Sequence, residues 1–323
     1  MTADSRGSGG RLPVWIALAG AAFIGALTAV QARINGVLGM RLDDGILAGG
    51  VSFGTGLVLA IVLSAALPQG RRGFRTLVAG MRGRSIPWWM LVGGAAGALT
   101  VATQGLAVAV IGVSLFTVGV VAGQAVNGLV LDRLGFGPAG VVAVTIPRLL
   151  GGLLALVAVG VSLVGDGVRG IPLWMIVMPF LAGVGIAWQQ ATNGRLRQRV
   201  GTPLTATLVN FIGGTLVLVV AAIVSGIVSG PPRAFPTEPW LYIAGPLGVV
   251  YIFLSAALVA HTGVLLLGLG TVVGQLVTSV VLDALWPAAD APGILQVSIM
   301  VGIALASVIV AVAPWRRPRR GRD

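Results

Sequence analysis

The sequence predicts an all-α polytopic membrane protein of about ten transmembrane helices, arranged as two inverted five-helix repeats with both termini inside. Three observations lead there. Of the 323 residues, 56% are hydrophobic and only 9% charged, whereas a water-soluble domain keeps about a quarter of its residues charged. Mean hydropathy is +1.00 over the whole length, so the apolar surplus forms a series of segments rather than one anchor, each needing about 20 residues to cross hydrocarbon. The sequence also repeats itself. The 50 glycines suit such a bundle, because helices in lipid associate best where small residues let their backbones approach.

The elements follow from apolar runs bounded by Arg, Pro, Gly or Asp clusters. A polar tail, 1–13, precedes a first run at 14–38, which is longer than the apolar core of a secretory signal and recurs later in the chain, so it reads as a retained helix. Further runs fall at 46–67, 87–110, 112–131, 139–164, 172–194, 203–229, 240–261, 263–285 and 293–314, with a basic tail at 315–323. Two of these boundaries depend on tight turns, one at Gly112 and one at His261, Thr262 and Gly263. The repeats span 14–164 and 165–314.

Basic residues orient the helices. An N-in arrangement places Arg6, Arg11, the cluster Arg71, Arg72, Arg75, Arg82 and Arg84, then Arg133, Arg195, Arg197 and Arg199, and the arginines from Arg316 to Arg322 on the cytoplasmic side. The outer connections keep Arg41, Arg169 and Arg233. The expected location is a bacterial-type inner (cytoplasmic) membrane, crossed many times.

Gly25, Gln31, Asn35, Gly36 and Leu38 recur as Gly183, Gln189, Asn193, Gly194 and Leu196 in one register. Val51, Phe53 and Gly56 then match Val209, Phe211 and Gly214, with Ser52 replaced by Asn210. Farther on, Gly123, Gln124, Val126, Val130, Leu131, Asp132 and Leu134 match Gly274, Gln275, Val277, Val281, Leu282, Asp283 and Leu285. A unit of five helices is odd, so its second copy enters from the opposite side, the construction of many secondary transporters. Two copies facing opposite ways form outward-open and inward-open states of similar energy, with a site between them near the midplane. Duplication that only stabilises a bundle is the plainer alternative.

The element Gln31-x-x-x-Asn35-Gly36 followed by Ser52-Phe53, with its copy Gln189-x-x-x-Asn193-Gly194 followed by Asn210-Phe211, resembles the YdcZ-like family of the drug/metabolite transporter superfamily, over about residues 14–314. Its members are often single five-helix units, and this chain is similar to a fused two-unit form. The resemblance implies a ten-helix transporter, an exporter of small molecules, without naming the cargo.

Gln31 and Asn35 share one helix face, as do Gln189 and Asn193. In hydrocarbon such amides either bond neighbouring helices, at about 0.6 kcal/mol each, or line a cavity for a polar substrate. Gln124 and Gln275 form a second matched pair, and Ser52 and Asn210 stand beside Phe53 and Phe211. These eight residues are the candidate substrate-binding set. Gln104, Asn127 and Gln190 lack amide counterparts and suit substrate-specific contacts instead. Trp188 offers a flat apolar face to a lipophilic or cationic ligand, or anchors its helix. Trp88, Trp89, Trp240, Trp286 and Trp315, at helix ends, read as interfacial anchors. Arg33, whose counterpart is Ala191, lies opposite the amides and reads as snorkelling outward, or as an anion-attracting group at the outer vestibule. Arg148 is expected to reach the cytoplasmic side. Asp132 and Asp283 read as hydrated helix ends, with pathway gates as the alternative.

Other chemistries lack their residues. There is no cysteine and one histidine, so disulfides, thiolate catalysis and a conventional zinc site have no ligands, and no cofactor is expected. The absence of lysine and of a phosphate-binding glycine loop excludes ATP-driven pumping by this chain alone. The net charge of +12 sits in short connections and tails rather than on a basic face, which argues against nucleic acid. Expected partners are a small-molecule substrate and the bilayer, with a monomer as the working unit or else a homodimer. A non-transporting scaffold is the second reading; an intramembrane lipid-modifying enzyme is the third, and it lacks a cluster of acids or a nucleophile with its base.

Overall fold

Short connections decide how the helices pair. The computed structural model describes residues 14–138, 140–141, 143–162, 172–230, 234–286 and 294–312, with 14, 155, 159–160, 162, 229, 260–266, 269, 300 and 311–312 as helix backbone only. Among the described residues the elements are all helical: α1 (Val14–Leu42), α2 (Gly45–Ala66), α3 (Pro68–Arg82), α4 (Gly93–Arg133), α5 (Ile146–Ser162), α6 (Leu173–Val200), α7 (Pro203–Ser229), α8 (Ala244–Leu285) and α9 (Ile294–Val312). Six helical stretches are long and apolar enough to cross a membrane, and shorter apolar helices accompany them. Single 3₁₀ turns, Trp88–Leu91 and Pro239–Tyr242, lead into α4 and α8.

Between α1 and α2, Asp43 takes φ 56° and Asp44 caps α2, its side chain accepting from the backbone N–H groups of Ile46 and Leu47 at 2.9 Å. Between α6 and α7 the device returns: Gly201 takes φ 79°, and Thr202 accepts from the N–H of Leu204 at 3.3 Å. A left-handed residue followed by a capping side chain reverses the chain in two residues.

The connection after α2, which carries the arginine cluster between two apolar runs, is largely the helix α3. Pro68 opens it, and Gly70, Gly73 and Leu77 are buried while Arg71, Arg72, Phe74 and Arg75 are exposed. Its inner stripe is short and small, so Gly73 seats directly on the side chains of Thr202 and Thr205 at the start of α7.

α4 and α8 are hairpins. Gly112 breaks α4 with φ 81° and ψ 162°, a conformation that L side chains rarely adopt. Along α6, Asn193 and Gln189 meet Gly93 and Gly97 on the first limb of α4, whereas Pro179 and Val184 meet Gly119 and Gly123 on the second. The limbs therefore run in opposite directions. α1 relates to α8 in the same way: Gln31 meets Gly248 and Gly20 meets Leu258, then Ala21 meets Gly270 and Gly25 meets Thr271 and Gln275. The chain thus reverses between Leu258 and Gly270, around the turn expected near Gly263; the side chain of His261 lies outside the described residues.

The two halves interleave. α1 packs chiefly on α8, and α6 on α4. α2 crosses the first limb of α8 where Gly56 faces Gly245, and α7 crosses that of α4 where Gly214 faces Gly94. Where α2 meets α7, Phe53 and Phe211 lie 5.0 Å apart with their rings tilted by 42°. α5 and α9 pack chiefly on each other. On α7, Leu216, Val220, Ile223, Val224 and Ile227 are exposed, an apolar surface suited to lipid.

Candidate functional site

The interleaving places the repeated amides around one small internal space. Gln31, Thr28, Gln104, Thr100, Gln189 and Tyr251 wall it, with Phe53 and Phe211 between them and Gly97 and Gly248 where the amides approach closest. It has about 10 Å³ of room for water centres, roughly one water. All of these polar side chains are buried, and none carries a formal charge.

The first-half amides bond across to other elements. Gln31 Nε2 donates to the carbonyl of Ala244 at 2.8 Å, and Asn35 Nδ2 to Gln104 Oε1 at 2.7 Å. The second-half amides form a side-chain network: Gln189 Nε2 and Asn193 Nδ2 both donate to Asn210 Oδ1, at 2.9 and 3.1 Å, while Tyr251 Oη donates to Gln189 Oε1 at 2.8 Å. Asn35 Oδ1, Gln104 Nε2, Ser52 Oγ and Asn210 Nδ2 are buried without a hydrogen-bond partner. Each such group costs about 1–3 kcal/mol, so the cluster keeps bonding capacity for water or a ligand.

Six of the eight predicted residues, Gln31, Asn35, Ser52, Gln189, Asn193 and Asn210, therefore belong to this cluster or stand next to it. The other two lie apart. Gln124 lines a second cavity of about 30 Å³ between α4, α5, α6, α8 and α9, with Gln190 and Arg148. Gln275 is buried where α8 crosses α1, and its Oε1 is unpartnered. Sequence reasoning missed Tyr251 and Thr100. They occupy equivalent places, one after the cavity glycine Gly248 and one after Gly97, and a hydroxyl at both positions is the signal that was available.

Asp132 and Asp283, expected as hydrated helix ends, are buried. Asp283 accepts from the backbone N–H groups of Val113 at 3.0 Å and Ser114 at 2.7 Å. It thereby caps the second limb of α4 just after the Gly112 turn, where a helix start favours negative charge. Asp132 lies 3.7 Å from Arg148. Trp188 stacks on Phe136 at 4.6 Å, and Phe136 in turn meets Trp89 at 4.6 Å; the indole is engaged in packing. Among the described residues no group of His, Cys, Asp and Glu could hold a metal ion.

A family described as "Putative inner membrane exporter, YdcZ" (DMT_YdcZ) matches the chain twice, over residues 16–162 and 174–313. A solved structure described only as a crystal structure of a protein is 16% identical, with a TM-score of 0.56 over 94% of this chain and 98% of its own; that likeness concerns the fold alone. No curated protein matches.

Proposed function

We propose, from the premise that this chain belongs to the DMT_YdcZ family of inner membrane exporters, that it moves small molecules by alternating access at the paired amides. It is a multi-pass inner membrane protein of transporter type. The finer reading is ten crossings with both termini inside: α1, α2, two limbs of α4, α5, α6, α7, two limbs of α8, and α9, in repeats of 14–164 and 165–314. The positive-inside pattern and the reversals in α4 and α8 support it.

One observation carries the mechanism. The cavity at the amides holds about 10 Å³ of water-centre space, too little for cargo, and its walls come from both halves. Such a closed packing is what an alternating protein passes through between its open states. Opening one end would move α1 and the α8 hairpin against α6 and the α4 hairpin, exchanging amide–amide bonds for amide–cargo bonds. The uncharged walls suit neutral or weakly polar cargo.

The chain has no cysteine, so a single Thr100→Cys substitution tests this without background. Membrane-impermeant thiol reagents should label it from both faces in sealed vesicles of either orientation. Labelling from one face only, in every condition, would exclude alternating access and leave the scaffold reading.

A further inference from the structure

One charged side chain is left over by this account. Arg33 on α1 is half-buried on the face away from the amide cavity, and among the described residues it makes neither a hydrogen bond nor an ion pair. A guanidinium carries five donors and cannot shed its charge. Asp283 is near enough for its charge to be felt, yet its carboxylate accepts from Val113 and Ser114 and forms no ion pair with Arg33. Arg33 precedes Arg41, which pairs with Glu238 at 3.4 Å, by two turns, or about 12 Å along the axis. An arginine at that depth facing hydrocarbon is costly unless something meets it.

What surrounds it narrows the occupant. Arg33 lies in an open groove of about 450 Å³ between α1, the 3₁₀ turn before α8, and the end of α8. The remaining lining is Val30, Ile34, Val37 and Leu282, with Trp240 and Trp286. Both indoles are about half exposed, as suits rings at headgroup level. Among the described residues the lining offers no second charged side chain, only two indole N–H groups besides Arg33, so a free anion would lose its water for a single cation. An amphiphile would instead set its phosphate on Arg33, with its headgroup toward Val37 and the two indoles, and lay an acyl chain past Val30 toward the bilayer centre. The equivalent of Arg33 in the second half is Ala191, fully buried, so the groove stands outside the repeated machinery.

We propose that this groove binds one phospholipid with an anionic headgroup, its phosphate on Arg33. The test is native mass spectrometry of full-length protein, delipidated in neutral detergent and titrated with phosphatidylglycerol, phosphatidylcholine or inorganic phosphate. Wild type should retain one phosphatidylglycerol at least about tenfold better than phosphatidylcholine, and Arg33→Gln should abolish that preference. Val37→Trp, which fills the groove and keeps the charge, should abolish it too, so the result does not hang on one variant folding. An undiminished preference in both variants, equal retention of the two lipids by wild type, or phosphate competing as well as phosphatidylglycerol would each overturn the proposal. None of these outcomes depends on transport.

Discussion

The two amide pairs are the same in sequence and different in bonding. In the second half, Gln189 and Asn193 converge on Asn210, and Tyr251 closes the network from α8. In the first half, Gln31 reaches a backbone carbonyl, Asn35 reaches Gln104, and Ser52, the equivalent of Asn210, has no partner. The difference comes from positions that the repeat does not keep: Ser52 against Asn210, and Thr100 against Tyr251. A longer polar group at each makes the second cluster a tie between α6, α7 and α8. The shorter group leaves more unpartnered groups in the first cluster, Asn35 Oδ1, Gln104 Nε2 and Ser52 Oγ, against Asn210 Nδ2 in the second. If the cavity takes cargo as proposed, the halves divide the work, with one amide pair holding helices together and the other better placed to meet it.

The largest expected effect falls where the halves agree. A Cβ at Gly25 would overlap the carbonyl oxygen of Thr271, and one at Gly183 that of Val120; both neighbours are backbone and cannot turn aside. Gly25→Ala and Gly183→Ala should each cost about 3 kcal/mol or more in unfolding free energy in mixed micelles. A mild result at one site alone would mean that the two crossings are not equivalent.

Next come the positions where the halves differ. Asn210→Ala removes the acceptor shared by Gln189 and Asn193 and should cost about 1–2 kcal/mol, whereas Ser52→Ala should change stability by less than about 0.5 kcal/mol. Equal losses would erase the contrast. Asp283→Asn keeps only one carbonyl oxygen for two N–H donors and removes the charge at the helix start, so about 1 kcal/mol should be lost; a neutral result would show that the Gly112 turn needs no cap. Smallest is Tyr251→Phe, at about 0.6 kcal/mol, set against no measurable change for Thr100→Val, whose hydroxyl bonds mainly within its own helix to Ala96 at 3.0 Å. If thermal unfolding ranked these two in reverse, the assignment of holding and binding roles would have to be exchanged.

Several features of the fold were legible because they depend on local chemistry. Gly112 was marked as a turn by glycine amid unbroken apolar residues, and the amide pairs by their repeated spacing. The helix α3 was not legible. Its arginines dominate a hydropathy reading, and only packing on α7 reveals Gly70, Gly73 and Leu77 as its buried stripe. Asp283 was misread for a related reason: a carboxylate near a helix end resembles a solvated terminus until another helix start is brought against it.

By itself the sequence determined the class of protein, the two repeats and the candidate amides, because hydrocarbon demands long apolar helices and duplication leaves a fixed register. Tertiary structure decided which groups meet. It set α1 on the α8 hairpin and α6 on the α4 hairpin, brought Tyr251 to Gln189, and made Arg33 the one charged residue among the described lining of an apolar groove. Those outcomes depend on contacts between residues far apart in the chain, whose energies are set by close glycine crossings that no local pattern encodes.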